Sequence, residues 1–232
     1  MKVPFLRKQN IAELAADVVS DYEAITGETV FPPVPVEDII ERSLGLSLGF
    51  IDFKKKYGMP DIYGATYVQK KFIAISTTLL DERSEGRYCF TCAHEIGHWV
   101  LHRHLVNAAA RMAKENGAVF CREKDAKAPI EWQADYFAGC FLMPENEVET
   151  AFHQIFGCDV LNLYTAHRIF PTTPFHFDIC VDNWQHIADA VRWAGGFLNI
   201  SKQAMMIRLQ DLGLVVNHTD QPINWRCLKL RN

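Results

Sequence analysis

The sequence His94-Glu-Ile-Gly-His98 places two histidines four residues apart within the amphipathic run YCFTCAHEIGHWVLH. Four residues of an α-helix turn through about 400°, so both imidazoles lie on one face, about 6 Å apart along the axis. They can therefore share one metal ion, and Glu95 can reach a water on that ion without being a ligand. A chain with nine histidines would show this pattern by chance only about 0.02 times. We therefore expect this segment to form a helix that carries part of a metal site.

The third ligand is expected from a second helix that carries two acids. A catalytic zinc ion usually has three protein ligands and one open position for water. In IEWQADYFAGCFLMP, apolar residues recur at helical spacing up to Pro144, and Glu131 and Asp135 stand four residues apart. We predict Glu131 as the third Zn²⁺ ligand and Asp135 as the carboxylate that accepts the other ring N–H of a ligating histidine. The alternative is a pair of solvated acids.

The order of the patterns along the chain predicts an α+β fold. Helical spacing runs from Lys8 to Ile25, with Gly27 as a stop signal, and a short helix is expected in PVEDIIERSLGL. LSLGFIDF, YGATYV and KFIAIS are β-prone, and a Gln-Lys-Lys turn joins the last two into an antiparallel pair. We predict a small antiparallel sheet packed on helices that include the HExxH helix, followed by a helical C-terminal module. An extended peptide is expected to add along residues 72–76, because edge pairing satisfies its backbone.

Composition and charge exclude several classes of protein. With 28 acidic and 24 basic residues, the net charge is −4, which gives no basis for a strongly basic nucleic-acid binder. No apolar run approaches the roughly 18 to 20 residues that span a bilayer, and the N-terminus lacks the apolar region of a secretory signal. We therefore expect no membrane association and a cytoplasmic location. Seven scattered cysteines, an odd number, make a poor disulfide framework, so reduced thiols are expected.

A helix-turn-helix-like segment is expected at about residues 183–216. Ser201 is a suitable N-cap for its second helix, and Gly213 is a suitable stop. Two bases in that helix, Lys202 and Arg208, against one acid, Asp211, leave a net charge of +1. That charge is too small for the several phosphate contacts that give useful DNA affinity. We therefore expect a structural helix pair and no direct DNA binding.

Two motifs together resemble a known family. FTCAHEIGHWVLH, followed after a gap by IEWQADYFAGCFLMP, is similar to the paired signature of the ImmA/IrrE family of zinc metallopeptidases, which carries HExxH and then E-x-x-A-[DN]-x-F-A ending in Met-Pro. The strand pair before Asp81 and the stretch NISKQAMMIRLQDLGLV resemble that family's preceding sheet and its later helical module. The resemblance covers about residues 30–215, with motifs only in 88–148.

This resemblance implies a gluzincin-like zinc metalloendopeptidase. The family's ligands fall on His94, His98 and Glu131, and its general base falls on Glu95. The implied substrate is a protein, a helix-turn-helix transcriptional repressor whose cleavage derepresses mobile-element or stress-response genes. The expected domains are a zinc metallopeptidase domain, residues 1–150, and a helical C-terminal module, residues 151–232.

Two other functions remain open from the sequence. One is a regulator that binds DNA or a repressor without cutting it and in which the zinc ion only stabilises the fold. The other is a zinc hydrolase that applies the same water activation to other esters or amides. Structural zinc sites usually fill all four positions with protein ligands, so a fourth protein ligand would favour the regulator.

Several further residues suggest chemistry less specifically. Cys89 and Cys92 form a lone CxxC and are expected to pack as small hydrophobic groups. His102 and His104 are candidates for an extra ligand or a transition-state donor, although a helix end also favours cationic histidine. The candidates for stabilising the oxyanion are Tyr88, Tyr136, Tyr164 and His167.

Overall fold

The computed structural model describes residues 3–80, 85–107, 118–122, 128–164, 180–220 and 223. The chain forms two compact units, Met1–Leu142 and Met143–Asn232. The predicted domains, 1–150 and 151–232, stay a prediction. The α+β fold class is confirmed: the first unit packs a small sheet on helices, and helices predominate in the second. Across the described ranges, no helix combines the length and apolar character needed to cross a bilayer.

The first unit begins with the amphipathic helix α1, Lys8–Thr26, which ends within one residue of its predicted end. Gly27 caps it with φ 74° and donates its N–H to the Glu23 carbonyl, a left-handed cap that favours glycine. Helix α2 (Val36–Asp38) continues as a π turn over Ile39–Ser43. Helix α4 (Glu85–Gly97) continues through the π turn His98–His102 into α5 (residues 103–107). The elements after α1 are α2 (Val36–Asp38), β1 (Ser47–Ile51), α3 (Phe53–Tyr57), β2 (Ile62–Tyr67), β3 (Phe72–Ser76), α4 (Glu85–Gly97), α5 (residues 103–107), β4 (Ala118–Arg122) and α6 (Pro129–Leu142).

The strands of the first unit form a mixed sheet in the order β1-β3-β2-β4. The predicted antiparallel pair β2–β3 is confirmed, but β1 runs parallel to β3, so the sheet is not purely antiparallel. Strand β3 is therefore interior, and the expectation that a peptide adds along residues 72–76 is wrong. Its central residues Ile73, Ala74 and Ile75 are fully buried, as befits a strand with neighbours on both sides. Among the described strands, β1 and β4 form the edges of the sheet.

Helices α4 and α6 approach closely because Gly97 has no side chain. A Cβ atom at Gly97 would lie 3.2 Å from both the Cα and the carbonyl oxygen of Ala134. Carbon atoms in favourable contact are about 3.5–4.0 Å apart, so no larger residue fits there without moving α6. The close approach lets Glu131, in the first turn of α6, reach the imidazole of His94.

The second unit combines helices with two short strands. Its elements are α7 (Glu145–Phe156), β5 (Leu161–Leu163), α8 (Trp184–Ala194), α9 (Lys202–Asp211) and β6 (Val215–Asn217). Strands β5 and β6 pair in parallel, so the module predicted as helical also contains a small sheet. Strands of three residues are too short to give a periodic sequence pattern, which is why they were not predicted.

The helix-turn-helix-like segment corresponds to α8 and α9. Ser201 caps α9 by accepting the N–H of Ala204, as its sequence position indicates. The two bases of this helix make contacts within the unit. Arg208 is buried and donates its Nε–H to the carbonyl of Met143, and Lys202 forms an ion pair with Asp189.

Replacing Gly97 by alanine should lower zinc affinity by at least about 10-fold. The added methyl group meets backbone atoms of α6, which cannot rotate away, so it displaces Glu131 from the two histidines. The matched control is Gly139→Ala on α6, where a Cβ atom meets nothing within 4 Å. That control should keep zinc affinity and gain about 0.5–1 kcal/mol of stability. Chelator competition and denaturant unfolding measure both quantities, and unchanged affinity in Gly97→Ala would contradict the packing argument.

Candidate metal centre

Three buried side chains from α4, the π turn and α6 converge on one point. The Nε2 atoms of His94 and His98 are 2.9 Å apart. The carboxylate of Glu131 lies 3.2 Å from His94 Nε2 through one oxygen and 3.5 Å from His98 Nε2 through the other. A tetrahedral zinc ion with bonds of about 2.0–2.1 Å holds its ligand atoms about 3.3 Å apart. The structure therefore brings the three predicted ligands together at a spacing compatible with a metal ion.

Asp135 lies one helical turn after Glu131 and contacts the outer nitrogen of His94. Its Oδ1 atom is 2.8 Å from His94 Nδ1. An ionised carboxylate only accepts hydrogen bonds, so Nδ1 of His94 carries the proton and Nε2 keeps its lone pair. The Asp135 side chain is 45% exposed, whereas that of His94 is 4% exposed. This geometry places Asp135 where it can orient His94.

The charges of the cluster favour a bound cation. Burial lowers the pKa of His98 to about 4, so its imidazole is neutral near pH 7. Burial alone would raise the pKa of Glu131, but the two imidazoles that face it outweigh burial and lower that pKa to about 2. Glu131 is therefore an ionised carboxylate in a buried position, where a bound cation would compensate its charge. Two nitrogens and one carboxylate oxygen form a donor set that suits zinc, so these residues fit the expected ion.

Glu95 lies beside the cluster, fully buried, with only one of its carboxylate oxygens hydrogen-bonded. The Thr66 hydroxyl, 2.6 Å from Oε2, donates to it. Within the described part of the chain, Oε1 has no hydrogen-bond partner. Loss of hydration on burial raises the pKa of Glu95 to about 7. A carboxylate with that pKa and an unpaired oxygen can accept and return a proton near neutral pH.

Strand β2 makes room for Glu95 on one of its faces. A Cβ atom at Gly64 would lie 2.8 Å from Cγ2 of Thr91 and 2.9 Å from Cγ of Glu95, so only glycine fits. Gly64 and Thr66 share the face of β2 that meets Glu95, while Ala65 on the other face belongs to a separate apolar cluster. Gly64 and Thr66 gave no functional signal in the sequence, because the pattern YGATYV indicates a strand but not the helix that packs on it.

His102 lies next to the predicted ligand His98 but is not positioned as a fourth ligand. Its Nδ1 is 3.0 Å from Nδ1 of His98, and its Nε2 is 2.9 Å from Oε1 of Gln133. His104 is exposed. Gln133, two residues after Glu131, gave no signal in the sequence, because an isolated glutamine has no spacing pattern that indicates a partner.

The remaining residues singled out in the sequence are not part of the cluster of His94, His98 and Glu131 as the structure describes it. The Tyr88 hydroxyl donates to Glu37, and the ring of Tyr136 stacks on Trp132. Cys92 is buried on α4, and Cys89 is partly buried there, as packing residues would be. Tyr164 belongs to the second unit, and His167 lies outside the described residues.

Two histidines four residues apart, a glutamate directly after the first, and a second glutamate from another helix define a site of the HExxH metallopeptidase class. Residues 42–169, more than half of the chain, match the Peptidase_M78 family, the IrrE N-terminal-like domain. The chain belongs to this family, which confirms the resemblance to ImmA/IrrE proteins. Membership supports a metallopeptidase-like role with a protein substrate. No curated protein matches the chain.

Removal of any one predicted ligand should lower zinc content. His94→Ala, His98→Ala and Glu131→Ala each delete one of three bonds to the ion, so purified protein should contain clearly less than one equivalent. Asp135→Asn should keep the ion but weaken its binding about 10- to 100-fold, because Asp135 acts through His94. Elemental analysis and chelator competition give these values. Full occupancy in Glu131→Ala would show that the third ligand is another residue.

The metal-free protein should lose stability with rising pH, in part through Glu95. Its pKa is about 7 in the folded chain against an ordinary value of 4.5, so the native state binds this proton more tightly than the unfolded chain. The resulting stabilisation is complete below pH 4.5 and is lost as the pH passes about 7. Between about pH 5 and 8, the free energy of unfolding of Glu95→Gln should therefore gain up to about 3 kcal/mol relative to wild type. Denaturant unfolding with chelator present tests this, and a pH-independent difference contradicts it.

Proposed function

We propose that the protein is a zinc-dependent endopeptidase that cleaves a helix-turn-helix transcriptional repressor and thereby derepresses mobile-element or stress-response genes. The zinc ligands are His94, His98 and Glu131, and Glu95 is the general base. The observation that carries the proposal is the buried carboxylate oxygen Oε1 of Glu95, which has no hydrogen-bond partner among the described residues. A glutamate that only stabilised the fold would be expected to have both oxygens satisfied, because unpaired buried polar atoms are costly.

The residues of the site have distinct roles in this mechanism. A bound zinc ion supplies Lewis-acid chemistry, which polarises the scissile carbonyl and makes water a better nucleophile near neutral pH. Glu95 accepts the proton of the attacking water at Oε1 and later delivers it to the leaving amine. Thr66 holds the other carboxylate oxygen and so fixes the orientation of the carboxylate. Asp135 fixes the ring of His94 through Nδ1.

The substrate peptide is proposed to bind at the edge strand β4 (Ala118–Arg122). Strand β4 pairs with β2, and β2 carries the Gly64 and Thr66 positions that face Glu95. Neighbouring strands lie about 4.8 Å apart, so β4 is the edge nearer to Glu95. The other edge, β1, is separated from β2 by the whole of β3. An extended peptide on β4 would satisfy its backbone groups without requiring one particular sequence.

A protein rather than DNA is the proposed partner of the chain. The two bases of α9 that phosphate contacts would need are engaged inside the unit, Arg208 with Met143 and Lys202 with Asp189. The net charge of −4 also opposes non-specific binding to a polyanion. That the protein substrate is a repressor rests on the resemblance to the ImmA/IrrE family. The cytoplasmic location is likewise part of the proposal.

The competing function, a non-cleaving regulator with a structural zinc ion, predicts a fourth protein ligand. Among the described residues, the cluster that can hold a metal ion contains three, His94, His98 and Glu131. The nearest further histidine, His102, is hydrogen-bonded to His98 and Gln133. Three protein ligands, with no fourth among the described residues, support the enzyme.

Replacing Glu95 by glutamine should abolish cleavage while the fold and the zinc ion survive. Glutamine keeps the size of the side chain and can still accept from Thr66, but it cannot take the proton from water. We expect turnover to fall by at least about 10²-fold, the usual contribution of general acid–base catalysis. The assay uses a helix-turn-helix repressor, the proposed substrate, and discrete fragments are followed by mass spectrometry.

The matched control is Glu85→Gln, the same change at an exposed position on the same helix, α4. It should cleave at the wild-type rate. Wild-type cleavage by Glu95→Gln with normal zinc content would exclude Glu95 as the base. Intact repressor bound by both the wild type and Glu95→Gln would support the non-cleaving regulator instead.

A further inference from the structure

We propose that His102 and Gln133 are positioning residues that fix the tautomer of His98, so that its Nε2 lone pair faces the metal ion. The proposal rests on the proposed zinc site and adds two residues to it. His102 closes the π turn that begins at His98, and Gln133 lies on α6. Neither residue reaches the metal cluster directly.

A continuous chain of hydrogen bonds connects His98 to the backbone near the N-terminus. His98 Nδ1 is 3.0 Å from His102 Nδ1, and His102 Nε2 is 2.9 Å from Gln133 Oε1. Gln133 Nε2 is 2.8 Å from the carbonyl oxygen of Pro4. His98, His102 and Gln133 are at most 1% exposed, so bulk water does not compete for the two contacts among them, whereas the contact with Pro4 is partly buried.

The carbonyl of Pro4 sets the direction of every bond in this chain. A carbonyl oxygen only accepts, so the contacting atom of Gln133 must be the amide nitrogen, and Oε1 must face His102. Oε1 also only accepts, so Nε2 of His102 carries the proton and Nδ1 of His102 has the lone pair. Nδ1 of His98 must then donate to Nδ1 of His102. In a neutral imidazole this leaves Nε2 of His98 without a proton and able to bind a metal.

The reverse direction is excluded by electrostatics. If His102 donated from Nδ1, its Nε2 would need a donor, which requires the amide of Gln133 to be turned over. The amide oxygen would then lie 2.8 Å from the carbonyl oxygen of Pro4, two acceptors without a proton between them. The chain therefore has one favourable direction, and that direction prepares His98 for metal binding.

The first test compares zinc affinity in His102→Phe and His104→Phe by chelator competition. Phenylalanine keeps an aromatic ring at position 102 but removes the acceptor of His98 Nδ1–H, so zinc affinity should fall about 10- to 100-fold. His104 is exposed and only two residues away, so its substitution should leave zinc affinity unchanged. Equal affinity in the two variants would overturn the proposal.

A second pair of variants, at position 133, tests the same proposal even if His102→Phe does not fold. Gln133→Glu, whose buried carboxyl group is expected to be protonated, can accept from His102 Nε2–H and donate to the carbonyl of Pro4, so it should keep most of the zinc affinity. Gln133→Met, of similar length, should lose it. Equal losses of affinity in the two variants would mean that position 133 contributes only to packing, and the proposal would fail.

Nitrogen NMR of the zinc-loaded wild type reads the tautomer directly. Long-range ¹H–¹⁵N correlations should show His102 protonated at Nε2 and unprotonated at Nδ1, with assignment by comparison with His102→Phe. Protonation of His102 at Nδ1 would refute the deduced direction. None of these readouts involves peptide cleavage, so a chain that binds zinc as described but cuts no repressor would contradict only the proposed function.

Discussion

The contact between α4 and α6 at Gly97 is the constraint on which the site depends. Helices usually pack with axes about 8–10 Å apart, at a separation set by the side chains between them. Here a glycine faces the backbone of Ala134, so no side chain separates the helices at that point. Fully buried Ile96, Phe137 and Phe141 supply apolar surface that favours this packing. The contact places the carboxylate of Glu131 on α6 against the imidazoles of His94 and His98. The geometry of the site therefore depends on the packing of the two helices.

Burial of the same site gives its two glutamates opposite properties. Glu131 faces two imidazoles and stays ionised, with a pKa of about 2 despite burial. Glu95 is fully buried with one hydroxyl as its partner, and its pKa rises to about 7. A pair of carboxylates whose pKa values are driven apart by their surroundings is the usual basis for separate roles in catalysis. The difference between the two pKa values explains how two ordinary glutamates in one site can have the separate roles of ligand and base.

The sequence predicts the features whose signals are local. Helix α1, the HExxH helix, the Glu131–Asp135 spacing and the β2–β3 pair each arise from periodicity or a turn within a short segment. The parallel pairing of β1 with β3, and hence the interior position of β3, depends on which strand meets which, and periodicity carries no such information. Thr66, Gly64 and Gln133 contribute through contacts between distant elements, as with the 29 residues that separate Thr66 from Glu95. Their residue types are ordinary for a strand or a helix.

The two histidines proposed as metal ligands are supported by different kinds of group, and the difference has an electrostatic reason. Asp135 supports His94 and brings a negative charge, but its side chain is 45% exposed, so water screens that charge. The outer nitrogen of His98 is fully enclosed, and a carboxylate there would add a third buried acid to Glu131 and Glu95. A neutral chain of imidazole, amide and backbone carbonyl fixes the tautomer of His98 without that charge. On our proposal, two buried negative charges then balance the two positive charges of a zinc ion, and the enclosed site approaches neutrality, the condition under which desolvation costs least.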